Sequence, residues 1–270
     1  MIFSADAYVR LLDSALNQGW QFTGFMDVVT PSARNIYLRH DVDISLTLAA
    51  DLARINQRMG VNATFFVMVR ADSYNILTRS SLEHLHTILK AGQQIGLHCS
   101  PPPSFLGDTV DGDALAEFVQ RDFNLLKAEL SDVVPVFSWH DTTPQMIEWG
   151  LTNPINGLLN TYSQHLFREI PYYSDSNLRN NEQTLTEIVS DDSARALHLL
   201  IHPEIWMAGG DTMLEVFAHC WPAIVRELEP GVGGRNRYYR QYLPSGMPVE
   251  VAESFSEQLV RSAIQQWAAT

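Results

Sequence analysis

Four short apolar runs in this chain end on residues that do not belong in an apolar core. Asn35-Ile-Tyr-Leu-Arg-His-Asp-Val-Asp43 closes on two carboxylates, and Gln94-Ile-Gly-Leu-His98 closes on a histidine. Val133-Val-Pro-Val-Phe-Ser-Trp139 runs into His140, and Ala196-Leu-His-Leu-Leu-Ile201 runs into His202. Runs of this length, rich in β-branched and aromatic residues, read as buried strands. Segments with helical spacing of apolar residues separate them, at 45–59, 80–91 and 111–130. Strands alternating with helices predict a parallel sheet. Parallel α/β folds gather their sites at the C-terminal ends of the strands. Asp41, Asp43, His98, His140 and His202 are therefore expected to meet at one rim, although they are far apart in the chain.

The remaining periodicity is less sharp. Residues 5–18 and 215–229 read as amphipathic helices, 249–268 as a closing helix, and 62–69 as a further strand. Weak strand signals fall at 157–160 and 167–170, a polar loop at 172–177, a stop at Pro203 and a flexible break at 230–234. At 270 residues and 46% hydrophobic content the chain is expected to form one domain, residues 1–270. The 18 basic residues against 31 acidic ones give a net charge of −13, which argues against nucleic acid or an anionic membrane as partner. Cys99 and Cys220 are too few for a disulfide framework. No apolar run reaches the length of a membrane span, and the first residues lack a signal-peptide pattern. A cytoplasmic protein is expected.

Alternation along the first strand puts Asp41 and Asp43 on one face and His40 and Val42 on the other. Two like charges on one face repel, so they need a cation between them or a proton to share. The competing reading is that Asp43 only caps the following helix. A mixed set of aspartate and histidine suits a borderline divalent metal such as zinc, with a position left for water. Cys99 takes the opposite strand face from His98 and is expected to be structural. Ser138, His140 and Asp141 lie too close in sequence to converge as a hydrolase triad. The loop at 172–177 offers Tyr173, Asp175 and Ser176 as hydrogen-bonding groups of the kind sugar hydroxyls require, or forms only a turn. The segment Gly233-Gly-Arg-Asn-Arg-Tyr-Tyr-Arg-Gln-Tyr242 interleaves cations with aromatics, as a plain interface or surface loop does, or as a grip on a diphosphate or nucleobase would.

The segments Leu38-Arg-His-Asp-Val-Asp43, Thr64-Phe-Phe66, Gly92-Gln-Gln-Ile-Gly-Leu-His98, Ser138-Trp-His140, Tyr173-Ser-Asp-Ser-Asn177 and Leu200-Ile-His-Pro203 together resemble the polysaccharide deacetylases of carbohydrate esterase family 4. They resemble more closely a divergent branch linked to bacterial surface-polysaccharide biosynthesis. The resemblance implies a distorted (β/α) barrel, a divalent metal held by one Asp and two His, a second Asp as general base and a late His as general acid. On that pattern Asp41 is the base, Asp43 and His98 are metal ligands and His202 is the acid. The family holds its two aspartates adjacent, whereas Val42 separates them here, so the two roles are exchangeable. The family's second metal histidine falls on Pro102, and His140 is the natural replacement. Arg39 would orient Asp41 or form a surface salt bridge. The expected substrate is a small molecule or oligosaccharide carrying an N-acetyl group. The alternatives are another small amide, such as a formamide or ureide, or a sugar-binding module without catalysis.

Overall fold

The computed structural model describes residues 3–27, 33–101, 111–155 and 157–232. Eight parallel strands form one sheet: β1 (Trp20–Thr23), β2 (Arg34–Val42), β3 (Thr64–Met68), β4 (Gln94–Cys99), β5 (Val133–Trp139), β6 (Leu159–Asn160), β7 (Tyr172–Ser174) and β8 (Ala196–Ile201). Their order is β6-β5-β4-β3-β2-β8-β7. On one edge of β2, β1 pairs with Arg34 to Tyr37 and β3 takes over from Arg39 to Val42, while β8 runs along the other edge. The helices are α1 (Ala5–Asn17), α2 (Leu46–Met59), α3 (Arg79–Lys90), α4 (Gly112–Glu129), α5 (Pro144–Thr152), α6 (Glu182–Val189), α7 (Pro203–Ala208) and α8 (Met213–Val232).

The sheet curls into a distorted, incompletely closed (β/α) barrel, with two cores on its two faces. Ile36, Leu38 and Val42 of β2 join Phe65, Leu97 and Phe137 in the larger core, packed with buried residues of the helices. The inward residues Tyr37, Phe66 and Val136 form a second core with Phe25, Leu166 and Ile170. Curvature is visible in what reaches across the interior. Arg39, on β2, donates to Thr161 Oγ1 and Tyr162 Oη just beyond β6, at 3.2 and 3.3 Å. Gly96, on the inward side of β4, is required by this closeness: a Cβ there would stand 2.8 Å from the Val136 carbonyl oxygen. Among the described residues β6 and β7 do not pair, and a π-helical turn (Gln164–Glu169) occupies the interval between them. His198 ties that turn to the wall through Nδ1, 3.0 Å from the Leu166 carbonyl.

Several local expectations are corrected. The stretch expected as a strand at 167–170 lies mostly in the π turn, and the polar loop at 172–177 begins with β7, which pairs with β8. β8 stops before Pro203 as expected, but a helix rather than a loop follows. Pro203 starts α7, because proline lacks the N–H that a first helical residue leaves unused. α8 runs through Pro230 and Gly231 to Val232, where a break was expected. Pro102, the segment 233–242 and the helix expected at 249–268 lie outside the described residues.

Candidate metal and hydrolytic site

The expected convergence occurs. Asp43 follows β2, His98 is the next-to-last residue of β4, His140 follows β5 and His202 follows β8, all at the same barrel rim. They line a cleft of about 760 Å³ with Asp41, Trp139, Tyr162, Tyr172 and Ser176. Asp43 is free for this role because Ser45 caps α2, accepting from Leu48 N at 3.3 Å.

Ligand atoms of Asp43, His98 and His140 all lie within 4.8 Å of one another. Asp43 Oδ1 stands 3.1 Å from His98 Nε2 and 3.5 Å from His140 Nδ1, yet it is buried and neither contact has hydrogen-bond geometry. An orphaned carboxylate oxygen facing two imidazole nitrogens is the arrangement a divalent cation completes, and the donor set suits zinc or a similar ion. The second nitrogen of each ring is held from behind. His98 Nδ1 lies 2.7 Å from Ser138 Oγ, whose hydroxyl donates to Asp41 Oδ1 at 3.4 Å. His140 Nε2 lies 3.3 Å from Asp141 Oδ2. Such partners fix tautomer and ring orientation. Burial disfavours charge on Asp43, but His140, His98 and His202 outweigh it and hold the carboxyl well below its usual range. Burial likewise opposes a charged His140, and Asp43 more than offsets it, so this ring titrates above the ordinary value.

Asp41 has different company. Arg39 grips it bidentately, Nε to Oδ1 at 2.7 Å and Nη2 to Oδ2 at 2.6 Å, and both side chains are almost fully buried. Burial raises the Asp41 pKa, but Arg39 and His98 overcome that and leave the carboxylate ionised below its normal range. The surface salt bridge considered for Arg39 is excluded by this burial.

His202 is presented by the start of α7. Asp175 lies fully buried behind it and accepts from His202 Nδ1 at 2.5 Å, from the His202 backbone N–H at 2.9 Å and from Trp206 Nε1 at 2.8 Å. Burial disfavours the imidazolium, but Asp175 and then Asp43 raise its pKa well above the usual histidine value. His202 Nε2 faces the cleft, 3.6 Å from Asp43 Oδ2.

Three residues expected to touch substrate take other positions. Arg39 and Asp175 lie behind Asp41 and His202. Tyr173 packs against the helix-side core, because strand alternation turns Tyr172 to the cleft in its place. Ser176 lines the cleft as expected. Ser138 was legible in principle, since it shares a strand face with His140. Trp206 and Tyr172 carried no comparable signal. His40 is structural: its ring meets Tyr8, Asn56 and the Ile201 carbonyl on the helix side.

The chain is similar to solved structures of polysaccharide deacetylases. The peptidoglycan deacetylase Bd3279 of Bdellovibrio bacteriovorus matches 80% of this chain and 54% of its own, at 17% identity and a TM-score of 0.42. The Streptococcus pyogenes deacetylase PplD, in complex with acetate, matches 69% of this chain and 87% of its own, at 10% identity and 0.46. BA3943 of Bacillus anthracis, a pseudoenzyme of carbohydrate esterase family 4, matches 64% and 56%, at 16% and 0.42. No protein-family model and no curated protein matches the sequence.

Proposed function

We propose that the protein is a metal-dependent amide hydrolase that removes the acetyl group from an N-acetylated sugar or a sugar-containing precursor. The observation that carries this reading is the division of labour around Asp43: ligand atoms converge on one side, an ionised and clamped carboxylate flanks them, and a carboxylate-backed imidazolium faces them. Asp43, His98 and His140 would hold the ion, with zinc the best match to one carboxylate and two imidazoles. When bound, a divalent ion supplies Lewis acidity, acidifying a water and polarising the amide carbonyl.

The chain supplies the proton traffic. Asp41 accepts the proton of the attacking water as the new C–O bond forms. Arg39 and Ser138 keep the carboxylate oriented while it does so. His202, held as imidazolium by Asp175, donates its Nε2 proton to the amide nitrogen as the C–N bond breaks, so an amine leaves rather than an amide anion. Acetate and the sugar amine are the products. Tyr162, Tyr172 and Ser176 offer rings and a hydroxyl to a sugar along the cleft wall. Among the described residues no helix is long and apolar enough to cross a membrane. Cys99 and Cys220 are both free and buried, which fits a cytoplasmic setting.

Zinc-loaded protein incubated with N-acetylglucosamine oligomers is expected to release acetate, measured enzymatically, and Asp41→Asn is expected to stop release while keeping its metal. Acetate release by Asp41→Asn at the wild-type rate would overturn the reading.

A further inference from the structure

The loop that leaves β7 concentrates the unusual backbone of the described chain. Of the four non-glycine residues with positive φ in the described chain, three lie there, Asn177 (58°), Leu178 (59°) and Asn180 (48°), and they flank Arg179. Asparagine tolerates this region, but leucine adopts it only when its surroundings enforce it. The enforcement is visible. Asn180 Nδ2 donates to the Ser174 carbonyl at 2.8 Å, the Ser176 backbone N–H donates to Ser174 Oγ at 3.0 Å, and Asn181 caps α6. At its start Asp175 is fixed by His202 and Trp206.

This loop sets Ser176, Asn177 and Arg179 on the cleft wall. The other arginine lining the cleft, Arg70, is engaged by Asp122, with Nε 3.0 Å from Oδ2 and Nη2 3.0 Å from Oδ1. Arg179 has neither an ion pair nor a side-chain hydrogen bond among the described residues. Asp41, Asp43, Asp72, Asp141 and Glu204 also line this cleft, and the whole chain carries a net charge of −13. An arginine left free amid so many carboxylates is available to an anion from outside. Its place in the site says which part of the substrate it meets. The loop that presents Arg179 also anchors His202, the group facing the departing amine, and that amine belongs to the sugar rather than to the acyl group.

We propose that Arg179 is a specificity-determining residue that binds an anionic substituent, a phosphate or a carboxylate, on the sugar that carries the amide. This rests on the sugar-amide reading above. Guanidinium is suited to either anion because it pairs bidentately with both.

Calorimetry on the zinc-loaded full chain at low salt would compare three probes: N-acetylglucosamine, N-acetylglucosamine 1-phosphate and N-acetylmuramic acid, which carries a carboxylate. At least one anionic probe is expected to bind about tenfold or more tightly than the neutral one. Which one does so separates phosphate from carboxylate. Arg179→Gln is expected to bring that ratio close to one, and Arg179→Lys to keep part of it. If Arg179→Gln does not fold, judged by circular dichroism, Arg179→Lys and a loss of preference on raising the salt carry the same test. Equal affinities in the wild type, no binding of either anionic probe, or a ratio unchanged in Arg179→Gln would overturn the proposal. Acetate release without any anionic preference leaves the hydrolase reading standing and this one fallen. Anionic preference without acetate release does the reverse.

Discussion

Asp41 and Asp43 stand two residues apart on one strand and face one cavity, yet their partners give them different chemistry. Both Asp41 oxygens are gripped by Arg39, which keeps the carboxylate ionised and oriented and leaves it poorly placed to give an oxygen to a metal. Asp43 has an oxygen without a hydrogen bond, aimed at two imidazoles. This geometry supports the assignment that the inserted Val42 had left exchangeable. His202→Ala is expected to lower acetate release about 10²- to 10⁴-fold while metal content stays at the wild-type level. An empty metal site in that variant, by elemental analysis, would make His202 a ligand. Asp175→Asn removes the carboxylate that raises the His202 pKa, so the imidazolium is lost at lower pH. The alkaline limb of the kcat/KM profile is therefore expected to move to lower pH, and an unmoved limb would deny Asp175 this role.

At the scale of elements, β2 carries a buried ion pair on its inward face. Removing one member strands the other charge in the barrel, at a cost of about 3–5 kcal/mol. Arg39→Met is expected to lower the urea midpoint strongly, and Arg39→Met with Asp41→Leu to recover much of it. A double variant less stable than either single one would show that the pair contributes net stability. The strands that deliver the site were legible because each is an apolar run closed by a polar side chain, and alternation alone placed Asp41 with Asp43 and Cys99 away from His98. The missed elements lack that signature. β1 has four residues and β7 three, too few for a period to register. β7, Tyr-Tyr-Ser, also shows no apolar alternation and owes its form to pairing with β8. α7 was hidden because Pro203 reads as a stop unless one knows that a helix follows, and Arg39 gave no sign that it is buried. The sequence loop at 172–177 pointed to the right place, but tertiary contacts turned Asp175 inward to His202.

Across the whole molecule, four histidines form two pairs with opposite effects on stability. His40 and His198 are buried and uncharged, and burial, the largest effect on each, lowers the pKa to about 3. In the unfolded chain they titrate near about 6.5, so below that pH unfolding takes up protons that the fold refuses. Each is expected to reduce stability by up to about 1.4 kcal/mol per pH unit as pH falls from about 6.5 toward about 3. His140 and His202 have raised values, so their contribution is fully present below the unfolded pKa and is lost as pH rises through the folded one. In metal-free protein these four histidines together favour a stability maximum near about pH 6.5. Glu204 partly offsets this, because its burial raises its pKa and so costs stability as pH rises above about 4.5. Urea midpoints in the presence of a chelator read the net effect. A midpoint that does not fall between about pH 6 and about pH 4.5 would contradict the neutral burial of His40 and His198.

The proposed three-ligand site bears most directly on what this molecule does, because Asp41 and His202 line the same cleft around it. Zinc titration by calorimetry, on wild type and on His140→Ala, His202→Ala and Asp41→Asn, separates ligands from proton carriers. One ion is expected to bind per chain in the wild type and in His202→Ala and Asp41→Asn, with affinity lost or reduced about 10²-fold or more in His140→Ala, since one of three ligands is gone. His140→Ala binding zinc as tightly as the wild type would contradict the account.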